Sequence, residues 1–160
     1  MSREEAFIKI IKDHEGIIYK IARIYADITE EQADLYQEIV FQMWKSFESF
    51  RGEAKISTWM YRIALNTALF HSKQKNKRGR NVSLDKIVLK QENYDPVMED
   101  RLKILYQQIR RLNDLEKAVI LLFLEGRTHE EISAITGLSH TNVGTRISRI
   151  KDKLRKTIKK

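Results

Sequence analysis

The sequence predicts an all-α protein of two small helical domains, an N-terminal helical bundle and a C-terminal helix-turn-helix, joined by a flexible linker. Three observations carry that prediction. Apolar residues recur at helical spacing through most of the 160 residues. One proline and six glycines are too few for the many tight turns of a sandwich or barrel. Periodicity lapses over residues 77–100, which hold Gly79 and the lone Pro96, so this stretch reads as a linker between domains at 1–76 and 101–160.

In the first domain Phe7, Ile8 and Ile11 form one stripe, and Ile17, Ile18, Ile21, Ala22 and Tyr25 form a second, with a break near His14-Glu15-Gly16. A third helix is expected after Thr29, with Glu30 and Glu31 in the turn where the helix dipole favours acids. It should bury Leu35, Tyr36, Ile39, Val40, Met43 and Trp44. Gly52 marks a turn, and Ser57 or Thr58 caps a fourth helix running to about Lys73. The run from Lys75 to Asn81 is a poor helix segment. Beyond the linker, Leu102, Leu105, Ile109 and Leu112 restore the period, and a helix covers about 114–125 before Gly126. Thr128 and Glu131 have the spacing of a capping box ahead of Ile132 and Ile135. Gly137 ends that short helix, Ser139 caps the last one, and Val143, Ile147, Ile150 and Leu154 are its buried stripe.

Composition removes several classes of function. The absence of cysteine excludes disulfides, thiolate metal sites and cysteine nucleophiles. With no run of eighteen apolar residues, no direct membrane insertion is expected. The start, Met1-Ser2-Arg3-Glu4-Glu5, lacks the apolar stretch of a signal peptide, so a cytoplasmic location is expected. The net charge of +8 is unevenly placed. Residues 1–50 carry 6 Lys/Arg against 10 Asp/Glu, residues 51–80 carry 8 against 1, and residues 128–160 carry 8 against 3. Two positive segments held apart suit two contacts with a polyanion, most simply nucleic acid; the plain alternative is a pair of solvated helix faces.

Three constellations sharpen this. The last two helices have a helix-turn-helix pattern, and the final helix leaves Thr141, Asn142, Thr145, Ser148 and Arg149 off its apolar stripe, side chains suited to base edges and phosphates. Gly144 inside that helix suggests close approach to a partner. On the fourth helix Met60, Ile63, Ala64, Thr67 and Phe70 are expected to form the apolar stripe. Arg62, Asn66 and Lys73 lie opposite, with Trp59 and Tyr61 nearby, a mixture of charge and rings that suits an unpaired strand. On the third helix Phe41 projects among Asp34, Gln37, Glu38 and Lys45, which suits docking on a basic protein surface. Catalysis finds no support. His129-Glu130 begins like a zinc-protease motif but meets Ser133 where the second histidine belongs, and no phosphate-binding glycine loop or metal cluster is visible. Neither an enzyme nor a cofactor is expected.

The segments Asp34-Leu35-Tyr36-Gln37-Glu38, Phe50-Arg51-Gly52-Glu53-Ala54 and Thr58-Trp59-Met60-Tyr61-Arg62-Ile63-Ala64-Leu65-Asn66-Thr67 resemble region two of bacterial sigma factors. Leu112-Asn113-Asp114-Leu115-Glu116-Lys117, Glu130-Glu131-Ile132 and Val143-Gly144-Thr145-Arg146-Ile147-Ser148-Arg149 resemble region four. With these two regions and a short linker the chain is similar to the extracytoplasmic-function (ECF) group. The resemblance implies a factor that binds core RNA polymerase and directs promoter-specific initiation by reading −35 and −10 elements and melting the latter. It implies docking on the beta-prime subunit through Asp34, Gln37, Glu38 and Phe41, and −10 contacts from Phe50, Arg51, Trp59, Tyr61, Arg62, Asn66 and Lys73. Asn66 matches a residue of the pocket region for a flipped-out base. The −35 contacts would come from Ser139, His140, Thr141, Asn142, Thr145, Arg146 and Arg149. The expected partners are the beta-prime and beta subunits of core polymerase, promoter DNA and, as is common in the family, an anti-sigma factor. Ser133 and Thr136 depart from the family pattern, which often has alanine and a larger apolar residue there. Two rival readings are an autonomous regulator that dimerises on palindromic sites and a small nuclease; the latter would need carboxylates in the first basic segment, which holds only Glu53.

Overall fold

The computed structural model describes residues 2–52, 54–78 and 96–158. These residues form eight helices and no strand: α1 (Arg3–Asp13), α2 (Glu15–Tyr25), α3 (Thr29–Phe47), α4 (Ile56–Arg78), α5 (Pro96–Arg110), α6 (Asp114–Leu124), α7 (His129–Thr136) and α8 (His140–Ile158). They fall into two units, α1–α4 and α5–α8. Most of the segment expected as a linker, 79–95, lies outside the described residues, and both of its ends are helical. The Lys75–Arg78 run continues α4, and Pro96 opens α5, where its missing N–H costs no helix bond.

In the first unit α2, α3 and α4 pack on one another, and α1 lies against α3. Their shared core holds Ile18, Ile21, Ile24, Leu35, Ile39, Met43 and Met60, all fully buried. The corner between α2 and α3 is closed by buried Gln32, whose Nε2 donates to the Ala26 carbonyl at 3.0 Å. Helix α1 is capped by Ser2, whose hydroxyl oxygen accepts the Glu5 N–H at 3.1 Å. Arg3 ties α1 to the end of α3 by an ion pair with Glu48 at 2.6 Å and by lying over the Trp44 ring at 4.5 Å.

Two expectations for α4 are corrected. The helix starts at Ile56, before Ser57 and Thr58, and Trp59 N–H bonds the Lys55 carbonyl at 3.1 Å, so neither hydroxyl residue is the cap. Its buried stripe is Met60, Tyr61, Ala64, Leu65 and Ala68, and Phe70 is 64% exposed. Both sets satisfy i, i+3, i+4 spacing because α4 carries apolar residues on more than one side. The packing against α2 and α3 then decides which side is buried. On α3, Tyr36, Val40 and Trp44 are half-buried rather than core, and on α1 Ile8 is exposed.

In the second unit α8 packs on α5, α6 and α7. Asn113 and Glu116 make a capping box on α6, with the Glu116 N–H donating to Asn113 Oδ1 at 2.8 Å and the Asn113 N–H donating to Glu116 Oε1 at 3.1 Å. Glu116 then reaches α8 through its other oxygen, which accepts from Lys153 Nζ at 2.6 Å. Burial pushes the Glu116 carboxyl up, but the bonds from Lys153 and the Asn113 N–H, with the charges of Lys153 and Arg146, outweigh it and hold the pKa below the ordinary carboxylate value. The expected Thr128–Glu131 capping box is present in both directions, each bond 3.1 Å. Gly137 takes the left-handed conformation at φ 82° that ends α7.

The turn between α7 and α8 explains the two departures from the family pattern. The Ser133 hydroxyl donates to the Leu138 carbonyl at 2.5 Å, and the Thr136 hydroxyl donates to the Ile132 carbonyl at 2.7 Å while accepting the Leu138 N–H at 3.3 Å. Both hydroxyls therefore fasten the turn. Gly144 is not required by the turn or by the packing of α7 on α8. A Cβ there would stand 3.6 Å from the His129 ring of α7, an ordinary van der Waals contact, so the packing within this unit has room for a larger residue.

Candidate nucleic-acid and protein interfaces

On α3, Asp34, Gln37, Glu38 and Phe41 are all exposed and lie on one side of the helix, as their spacing requires. Phe41 is 53% exposed, with Lys45 Nζ 5.3 Å from its ring centre, and Glu38 accepts a bond from Gln42 Nε2 at 2.9 Å. Beside this face the half-buried residues that periodicity assigns to the core open a groove of about 440 Å³, lined by Phe7, Tyr36, Gln37, Val40, Phe41 and Trp44. Burial raises the pKa of the Tyr36 hydroxyl, and the Glu15 carboxylate adds to the effect, so the ring stays neutral in the groove. Sequence spacing identifies Phe41 but not the groove, because helical period alone does not separate a buried ring from one at the rim of a cleft.

A chain of rings leads from that groove to the start of α4. Phe7 meets Trp44 edge-on at 5.1 Å and Phe47 at 5.4 Å; Phe47 lies 6.2 Å from Trp59, and Trp59 lies 5.0 Å from Phe50. Trp59 and Phe50 are thus half-buried and hold each other, while Arg51 beyond them is exposed. Along α4 the side chains of Arg62, Asn66 and Lys73 are exposed on a common face. Tyr61 does not join them. It is 2% exposed and points into the core, so its ring cannot stack on a base while α4 keeps this packing.

On α8 the buried residues Val143, Ile147 and Ile150 are opposed by a face of Thr141, Thr145, Ser148 and Arg149. Ser139 caps the helix, its hydroxyl oxygen accepting the Asn142 N–H at 3.2 Å. Two other side chains are held within the helix: Thr145 donates to the Thr141 carbonyl at 3.1 Å, and Arg146 Nε donates to Asn142 Oδ1 at 3.1 Å. The half-buried Asn142 and Arg146 are therefore fixed to each other, and Ser139, His140, Thr141, Thr145 and Arg149 are exposed around them. The His140 ring lies 5.6 Å from that of His129. Among the described residues no three acidic or histidine side chains come together in a metal-binding group, and no helix is long and apolar enough to cross a membrane.

Residues 10–78 match the family described as sigma-70 region 2, and residues 102–154 match sigma-70 region 4. The chain is 32% identical over 140 residues to the ECF RNA polymerase sigma-E factor of Haemophilus influenzae, covering 78% of this chain and 73% of that protein. It is 30% identical over 134 residues to the sigma-E factor of Escherichia coli K12, covering 74% and 69%. Among solved structures the fold is similar to CnrH in complex with the cytosolic domain of CnrY (TM-score 0.71, 20% identity, covering 98% of this chain and 89% of that one). It is also similar to the sigma factor RpoE of Bartonella quintana in complex with the anti-sigma factor NepR (TM-score 0.70, 20% identity, covering 98% and 96%). With region 2 in its first unit and region 4 in its second, the chain belongs to the ECF group of sigma factors, proteins of transcription initiation.

Proposed function

We propose that this sigma factor binds core RNA polymerase and gives it two DNA-reading modules, α4 for the −10 element and α8 for the −35 element. The observation that carries the reading is that each unit has one helix with an exposed basic, hydrogen-bonding face opposite a buried stripe. On α8 the exposed hydroxyls and Arg149 enter the major groove, and the basic residues toward its C-terminal end lie along phosphates. On α4, Arg62 and Lys73 hold the strand while Asn66 contributes to the pocket for an extruded base. Melting is then driven by binding: capture of the unstacked base offsets an unstacking cost of about a few kcal/mol. The α3 face, with Phe41 framed by Asp34 and Glu38, docks on a basic surface of the beta-prime subunit. The chain itself performs no chemistry, and an anti-sigma protein would silence it by covering one of these faces.

The deciding experiment measures binding of a fluorescent fork-junction promoter DNA with and without sigma-free core polymerase. Binding is expected only with core, and Asn66→Ala or Arg62→Ala should lower it by roughly tenfold, the effect of about 1–3 kcal/mol for a lost base contact. Tight, specific binding by the purified chain alone, to a two-fold symmetric site, would replace this reading with an autonomous regulator. Separately, Glu38→Lys combined with Phe41→Ala should weaken binding to core polymerase without changing the helical content.

A further inference from the structure

The exposed ring of Phe70 is left without a role by the packing. It is the most exposed of the large apolar side chains described, and it lies on α4 one turn beyond Asn66. At 100° per residue, Arg62, Lys73, Asn66 and Phe70 share an arc of about 80°, on the side away from Met60, Ala64 and Leu65. Solvation alone would favour a polar residue there. A ring flanked by two cations and an amide, in a segment with eight Lys/Arg and one acid, instead suits a ligand that offers both phosphates and flat apolar faces.

We propose that Phe70 is a stacking platform for an unpaired promoter base, the neighbour of the base held near Asn66. The inference rests on the −10 reading of α4 and extends it to a residue outside the contact set implied by the family motif. One turn of helix separates the two side chains by about 6 Å along the axis, room for adjacent bases of a strand that is no longer in a duplex. Arg62 and Lys73, first and last of the four along the helix axis, would follow the backbone of that strand, while the ring covers a base that has lost its partner. Stacking accepts any base, so Phe70 contributes to holding the open strand and little to sequence choice.

The test uses the full chain with core polymerase and forks selected by that complex from a pool with a randomised unpaired segment. Phe70→Ala should weaken binding of a selected fork by about tenfold, and Phe70→Tyr should keep it within about twofold, since a phenol ring stacks as a phenyl does. Affinity for the blunt duplex should be unchanged in both variants. With 2-aminopurine scanned through the unpaired segment, one position should be quenched by the parent protein and bright with Phe70→Ala. If Phe70→Ala binds as the parent does while Asn66→Ala does not, the stacking proposal is wrong and the α4 reading stands. If the complex enriches no fork over blunt duplex, the α4 reading falls and this proposal falls with it. Loss of core binding by Phe70→Ala in the absence of DNA would make the ring a protein contact and would also overturn the proposal.

Discussion

Glu116 does three things with one carboxylate. It caps α6, reaches Lys153 on α8, and stays ionised although it is mostly buried. Because its folded pKa is lowered, the stability it contributes is fully present above the ordinary glutamate value of about 4.3 and is lost as pH falls through the lower folded value. An acid titration of the melting temperature should therefore show a loss in the parent protein that is smaller in Glu116→Gln. That variant keeps the capping geometry but loses the ion pair, so it should start from a lower melting temperature at neutral pH. Gly137 is the second sensitive residue. Its φ of 82° is a region that an alanine enters at a cost of about 1–2 kcal/mol, so Gly137→Ala should lower the melting temperature of the second unit, and calorimetry reads the change directly.

At the scale of elements, α4 is where the sequence and the packing diverge, and substitution separates the two. If Met60 is core and Phe70 is not, Met60→Ala should destabilise by about 2–5 kcal/mol and Phe70→Ala by less than about 0.5 kcal/mol, as measured by denaturant unfolding. The reverse order would restore the stripe expected from spacing. The helices whose ends carry strong local chemistry were the legible ones. The Thr128–Glu131 box, the left-handed Gly137 and the Ser139 cap each act within four residues, so the sequence contains their cause. The rotation of α4, the groove between α1 and α3 and the burial of Tyr61 depend on which neighbours each helix meets, and that is not written in spacing alone. Most of the residues proposed for the interfaces lie on exposed faces, which motifs mark. The exposure of Phe70 was not legible because an aromatic residue at helical spacing is more often core than surface.

The whole molecule consists of two units that each own a core, and the tryptophans are distributed in only one of them. The chain has two, Trp44 and Trp59, and both belong to the run of rings that joins the groove of α1 and α3 to the start of α4. Tryptophan emission is therefore a private signal of the first unit, whereas the far-ultraviolet helix signal sums over both. Glu116→Gln should shift part of the circular-dichroism transition and leave the fluorescence transition where it was; a shift in both would mean that the two units unfold as one. The same pair reports function without any attached dye. Trp44 lines the groove beside the expected docking face and Trp59 touches Phe50, beside Arg51 in the set proposed to meet the −10 element, so replacing either one with phenylalanine leaves a protein with a single emitter, placed to report one of the two proposed binding events.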